Sequence, residues 1–499
     1  QAALTAAYTT YRTLYLPAGT YKITAPITLT ASGSAGDKRG LRIIGDAPLS
    51  LQYSAVYTPT SHFTVLDVSS VAPGSWTVDR GILELTDMHN VTLENLWFLG
   101  NRTTSVRNDR TATSTGVRFL GYSTGHHIER CTFQAHRIGL DMLASPVGYS
   151  FFQNNVFTAN WKLGAGQYGG DSQWIGNFFS EAWPANQSPY DSQGVGLLIE
   201  QGRSVLVAGG KIEWTAKGIQ LNNVADVTIG HGLMTDKNGI SILVISSGST
   251  NKWAGHAIQI SDAHFLASGN AMATGSAHIL FSSSNSAKVT GTISGCTFGK
   301  GSQDAYSEND GTYCGIGTMP VPTTSAVAGS LAAGTYYYRV AARNTNGDTV
   351  ASSEVSRVLG ATGGVKLDWT APTGTITEYR IFGRTQGTEQ LLLASVPVGT
   401  LTFTDSGSLT PAGDIPPTIT PEDHISFVGS GATIIMNISG NSFEGGATRG
   451  WIWMDGAAGS RYTVKGNSGG PLILQPQANV AVIADFGIMT AAPTSGTWT

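Results

Sequence analysis

The chain is short of charge. Only 12% of its 499 residues are Asp, Glu, Lys or Arg, and the formal net charge is -4. No basic stripe runs along it, which argues against a nucleic-acid partner, because binding phosphate needs clustered Lys and Arg. No apolar run is long enough to span a bilayer, so no membrane insertion is expected. The three cysteines are too few for a disulfide framework. No spacing of His, Cys and carboxylate makes a metal site, no Gly-rich loop suits phosphate and no Ser-His-Asp order stands out, so neither a metal nor a cofactor is expected. The chain begins at Gln1 without Met or a signal-like start, which leaves targeting open.

What the chain has in abundance is glycine, 63 residues of it, and a recurring phrase of six residues. A large apolar residue, four positions and a second large apolar residue recur as Leu93/Phe98, Ile128/Phe133, Phe152/Phe157, Trp174/Phe179, Val207/Ile212, Ile229/Met234, Ile260/Phe265, Ile293/Phe298 and Ile438/Phe443. From Phe133 to Phe157, Phe157 to Phe179 and Ile212 to Met234 the spacings are 24, 22 and 22 residues. A period of that length marks a solenoid. The segments are short, alternating and β-branched, with no helical stripe, so each unit is a coil of strands and the chain reads as a parallel β-helix. Cys131 and Cys296 fall two places before the closing Phe, where other coils carry Asn155, Asn177 and Asn441, and read as stacked interior residues.

The opening segment runs Leu14-Tyr-Leu-Pro-Ala-Gly-Thr-Tyr-Lys-Ile23, then Pro26-Ile-Thr-Leu29 and Leu41-Arg-Ile-Ile-Gly45. It resembles the first coils of pectate-lyase-like β-helices, and more closely those of bacteriophage tailspikes, where such a phrase follows a capping helix. Between Phe298 and Phe443 the texture changes: Leu331–Val340, Val365–Trp369, Tyr379–Phe382 and Phe403–Ser406 are strands with turns every 8 to 12 residues. That spacing predicts a small β-sandwich, and the segment resembles a fibronectin type III-like module of the kind inserted in phage tail proteins. The expected fold is therefore all-β, a right-handed parallel β-helix interrupted by a small sandwich. The β-helix with a cap remnant occupies 1–319, the sandwich 320–417, resumed coils 418–487 and a linker 488–499 towards a missing C-terminal part.

Coils stacked about 4.8 Å apart turn the phrase into columns. Two places after its closing residue the column reads Gly100, Ala135, Ala159, Glu181, Trp214, Asp236 and Ala267. Glu181 and Asp236 would lie two coils apart, at roughly the separation of an inverting glycosidase pair, with Glu213 between them. Carboxylates crowded beside an indole suit general acid–base work. Glu213, Glu181 and Asp236 are therefore the candidate catalytic residues. Glu200 and Asp141, which end equivalent strands, form a reserve column. Trp183, Trp214, Trp161, Tyr168, Tyr190 and Trp253 are the candidate sugar-stacking rings, since an apolar pyranose face packs on an aromatic one. His231, in Gly230-His231-Gly232, reads as a turn residue.

The tailspike resemblance implies a homotrimer on a virion tail, attached to the phage tail or baseplate through a region absent here, that binds and depolymerises a bacterial capsule, exopolysaccharide or O-antigen. Hydrolysis on paired carboxylates is the leading expectation. A lyase using Lys211, His231 or Arg203, and a spike that binds glycan without cleaving it, are the alternatives.

Overall fold

The structure is a computed structural model. It describes residues 1–31, 40–46, 62–102, 111–182, 194–236, 238–247, 255–266, 277–283, 288–299, 316–344, 347–386, 390–412, 416, 423–429, 431–443, 450–469, 474–476, 480–484 and 497–498. Its body is a right-handed parallel β-helix whose described strands form three parallel sheets of 14, 12 and 12 strands. Each complete coil passes once through the first, second and third sheet. The first sheet runs from Thr13–Leu16, the second from Gly19–Lys22 and the third from Ile27–Thr30. A helix at Ala2–Thr10 precedes them and buries Leu4 and Tyr8 against the end of the stack.

The closing residues of the phrase form a ladder of rings inside the second sheet. Phe98, Phe133, Phe157 and Phe179 stack with centroids 5.1, 4.9 and 4.7 Å apart and near-parallel planes. Each such pair adds about 0.5–1.5 kcal/mol beyond the area it buries. The rings leave no room opposite, and the third sheet answers with a column of glycines at 116, 139, 164, 196 and 218. A Cβ on Gly116 would lie 2.9 Å from the Phe133 ring, and one on Gly164 the same distance from Phe179. One coil further on, Thr235 takes the ring's place and Ser241 the glycine's, and their hydroxyls bond at 2.9 Å.

A second ladder closes the turn between the first and second sheets. Cys131 N–H donates to Asn155 Oδ1, and Asn155 N–H to Asn177 Oδ1. Cys296 N–H likewise donates to Asn441 Oδ1. Both thiols are buried and free, and burial pushes them up to about 12 for Cys131 and about 11 for Cys296, so neither serves as a nucleophile near neutral pH.

The register departs from the sequence columns at one point. Ile212 pairs with Thr235, not Met234, because Gly230-His231-Gly232 carries one residue more than the equivalent turns. Three left-handed or otherwise positive φ values in a row, 142°, 48° and 83°, absorb the extra residue. Met234 is consequently pushed outward, 40% exposed, while polar Thr235 faces the interior.

Between the helix strands Thr297–Phe298 and Asp423–Val428 lie two antiparallel sheets, of three and five described strands. They enclose a separate core that includes Tyr338, Val340, Val365, Leu367 and Ile381. Asp423–Val428 pairs with Ala277–Ser283, so the coil laid down before the insert is the one extended after it. His278 stacks on His424 and Phe281 on Phe427 across that junction, at 5.3 and 4.7 Å.

Candidate functional site

Along Lys211–Glu213 in the second sheet, Ile212 points into the core while Lys211 and Glu213 share the outer face, as alternation requires. The next coil places Asp236 beside Glu213 as its register partner. Lys211 Nζ lies 2.5 Å from Glu213 Oε2 and 3.8 Å from Asp236 Oδ2. Pairing to one ammonium bounds the separation of those two carboxylate oxygens at about 6 Å. Glu213 is 2% exposed, and its Oε1 has no hydrogen-bond partner among the described residues. A buried carboxylate oxygen left without a donor is costly, which marks a site shaped for something other than stability.

The extra residue at His231 shifts Asp236 out of Glu181's column. Glu181 stacks on Trp214, both at the corner after the second sheet with φ of 61° and 56°, in line with Ala135 and Ala159. Asp236 lies one column earlier, against Glu213 and Ser180. The inverting pair of Glu181 and Asp236 expected from the columns is thus replaced by adjacent Glu213 and Asp236. The reserve column does not form either. Asp141 is aligned with Gly166, Leu198 and Gln220 and is ion-paired with Arg118 at 3.2 Å, whereas Glu200 is aligned with Tyr168 and Asn222 and accepts from Asn222 Nδ2.

Of the aromatic candidates, Trp214 is only 7% exposed and presents no ring face to a sugar. Trp161 is tied down, its Nε1–H donating to Ala112 O and its ring lying under the Arg137 guanidinium at 5.4 Å. Tyr168 is half-buried with its hydroxyl 3.2 Å from Gln201 Oε1. Trp183, Tyr190 and Trp253 lie outside the described residues.

A different face holds the open ground. Over the outer side of the first sheet runs a cavity of about 850 Å³, lined among others by Tyr149, Phe151, Asp171, Asp226, His231 and Gln259. Sequence reasoning missed it because it followed the closing residue of the phrase and not the residue before its opening strand. Tyr149, Asp171, Ser204 and Asp226 share one register column where the strands of that sheet begin, with φ between 51° and 54°, and that shared column was the available signal.

Among the described residues no three His, Cys, Asp or Glu are grouped to hold a metal, and no helix is long and apolar enough to cross a membrane. No protein-family model and no curated protein matches the sequence. Among solved structures the chain is similar to the Agl-KA catalytic domain, at 12% identity and a TM-score of 0.49, covering 97% of this chain and 64% of that one. The chain therefore spans less than two thirds of that neighbour's length. It is also similar to tailspike protein gp49 from Acinetobacter baumannii bacteriophage Fri1, a capsular polysaccharide depolymerase (11% identity, TM-score 0.29, 83% of this chain and 80% of that one). A third neighbour is pectate lyase Pel9A (13% identity, TM-score 0.29, 61% and 76%).

Proposed function

We propose that this chain binds a bacterial surface polysaccharide and depolymerises it by glycosidic hydrolysis, as a tailspike on a virion tail, with Glu213 and Asp236 as the carboxyl pair. The observation that carries the reading is the buried Glu213 carboxylate with one unpartnered oxygen, one coil from Asp236 and sharing Lys211 with it. Retaining glycosidases hold their carboxyls about 5–5.5 Å apart and inverting ones about 6.5–9.5 Å. The shared ammonium sets an upper limit of about 6 Å on one oxygen pair, which lies below the inverting range and is compatible with the retaining one. In that chemistry one carboxyl gives its proton to the glycosidic oxygen while the other attacks the anomeric carbon. The first group then takes a proton from the water that releases the sugar. Lys211, occupied as counter-ion to both carboxylates, favours this over a lyase in which it would serve as base.

The homotrimer implied by the tailspike resemblance belongs to the same proposal. The test is product analysis on capsular or O-antigen polysaccharide with wild type and Glu213→Gln. New reducing ends that retain anomeric configuration and vanish in the variant support the reading. Unsaturated, ultraviolet-absorbing ends would assign a lyase, and unchanged polymer length would assign a binding spike.

A further inference from the structure

We infer that the groove on the outer face of the first sheet is a second glycan-binding site, distinct from the carboxylate pair, and that it takes a chain free of acidic sugars lying along the helix axis. The inference does not rest on cleavage at Glu213.

The shape argues for a linear ligand. Five successive coils supply the lining, from Tyr149 and Phe151 at one end through Asp171, Ser204 and Asp226 to Gln259 at the other. Neighbouring coils are spaced by about 4.8 Å. The four corner residues from Tyr149 to Asp226 share one backbone conformation, so their side chains leave the sheet in a row. Left-handed φ is uncommon for residues other than glycine, and its repetition at this edge builds a ruler with one side chain per coil.

The chemistry argues for sugar. Tyr149 is 67% exposed and Phe151 42% exposed, beside hydroxyl, amide and carboxylate groups. The His127 ring stands edge-on to Phe151 at 6.4 Å and supports it. Open ring faces next to short polar groups match a pyranose, which has an apolar face and a hydroxylated rim. His231, displaced outward by the extra residue of its turn, adds a polar group to the wall.

The charge argues against uronates. The lining carries two carboxylates and no Lys or Arg. Arg203 pairs with Asp226 at 3.3 Å, and Asp171 has no ion-pair partner among the described residues. An acidic glycan would bring its carboxylates against Asp171, with the neighbouring Arg203 already paired to Asp226, whereas a neutral or amino-bearing chain meets no such cost.

The test uses the full chain carrying Glu213→Gln, so that no ligand is consumed, with three hexamers of glucose (cellohexaose), glucosamine and galacturonic acid at about pH 6. Saturation-transfer NMR and calorimetry read binding. The first two are expected to bind with Kd of about 1 mM and the third not at all. Tyr149→Asn with Phe151→Thr, chosen because Asn tolerates the left-handed corner and Thr suits a strand, should weaken binding about tenfold with Tm unchanged. Asp171→Asn with Asp226→Asn should admit the galacturonate hexamer. Failure of both the glucose and glucosamine hexamers to bind overturns the inference, as do equal binding of the acidic hexamer and undiminished binding by the Tyr149/Phe151 variant. Self-association that this variant abolishes without glycan would also overturn it, by assigning the face to a second copy of the chain.

Discussion

Two buried carboxylates in this chain are held in opposite ways. In the sandwich, Asp405 is 1% exposed, accepts two hydrogen bonds from Arg384, and takes others from Tyr338 hydroxyl and Gly407 N–H. Burial alone would raise its pKa, but the Arg384, Gly407 and Tyr338 hydrogen bonds outweigh it and hold Asp405 below the usual carboxylate range. On the β-helix, Glu213 is as deeply buried yet has Lys211 on one oxygen and no hydrogen-bond partner on the other among the described residues. A fully satisfied cluster locks a fold, whereas a half-satisfied one costs stability and is kept for another reason.

Substitution should break this contrast most sharply at Glu213. Glu213→Gln should lower depolymerisation by about a thousandfold or more, which is about 4 kcal/mol of transition-state stabilisation, while leaving Tm nearly unchanged. A variant that loses stability in proportion to activity would make Glu213 another Asp405. Arg384→Met leaves Asp405 buried without its cation and should cost the sandwich about 3–5 kcal/mol in denaturant unfolding, with cleavage retained. Lys211→Met should cost the helix less, about 2 kcal/mol, because Lys211 is 30% exposed and water already screens part of its pairing.

Acid should separate the two regions as well, by a small margin for each group. Burial lowers His136 to about 4 and His126 to about 3, so in the folded helix both stay neutral below the pH at which the unfolded chain protonates them. Their contribution is complete above about pH 6.5 and is lost as pH falls towards 4, about 1.4 kcal/mol for each histidine by pH 5.5. The insert between 320 and 412 contains no histidine, and the lowered Asp405 contributes until pH falls below about 4. Hydrogen exchange followed by peptide should show helix coils loosening at pH 5.5 while the sandwich strands stay protected. Simultaneous loosening would place the acid-sensitive groups elsewhere.

Much of the fold was legible because a solenoid repeats its constraints. The Phe at the close of the phrase recurs since each ring stacks on the last, and Asn155, Asn177 and Asn441 recur since each side chain bonds the backbone of the coil before. The resumption of the coils after the insert was visible for the same reason, since Ile438/Phe443 repeats Ile293/Phe298 across the long interval. The site was legible only to within a residue. Met234 looks like a closing apolar residue and Thr235 does not, yet the Gly230-His231-Gly232 turn exchanges them. Nothing local penalises that exchange, and it moves Asp236 from Glu181 to Glu213.

By itself the sequence determined a β-helix, its coil length and the acidic residues that gather near its middle, because stacking imposes a period that composition and spacing record. Only the tertiary structure decided which side chains meet and which are covered. Alternation along a strand means that one inserted residue changes a side chain's neighbours, and exposure depends on what lies over a face. For those reasons Glu213 came to rest buried beside Asp236, Trp214 was enclosed, and open rings beside a cavity, Tyr149 and Phe151, lie on another sheet.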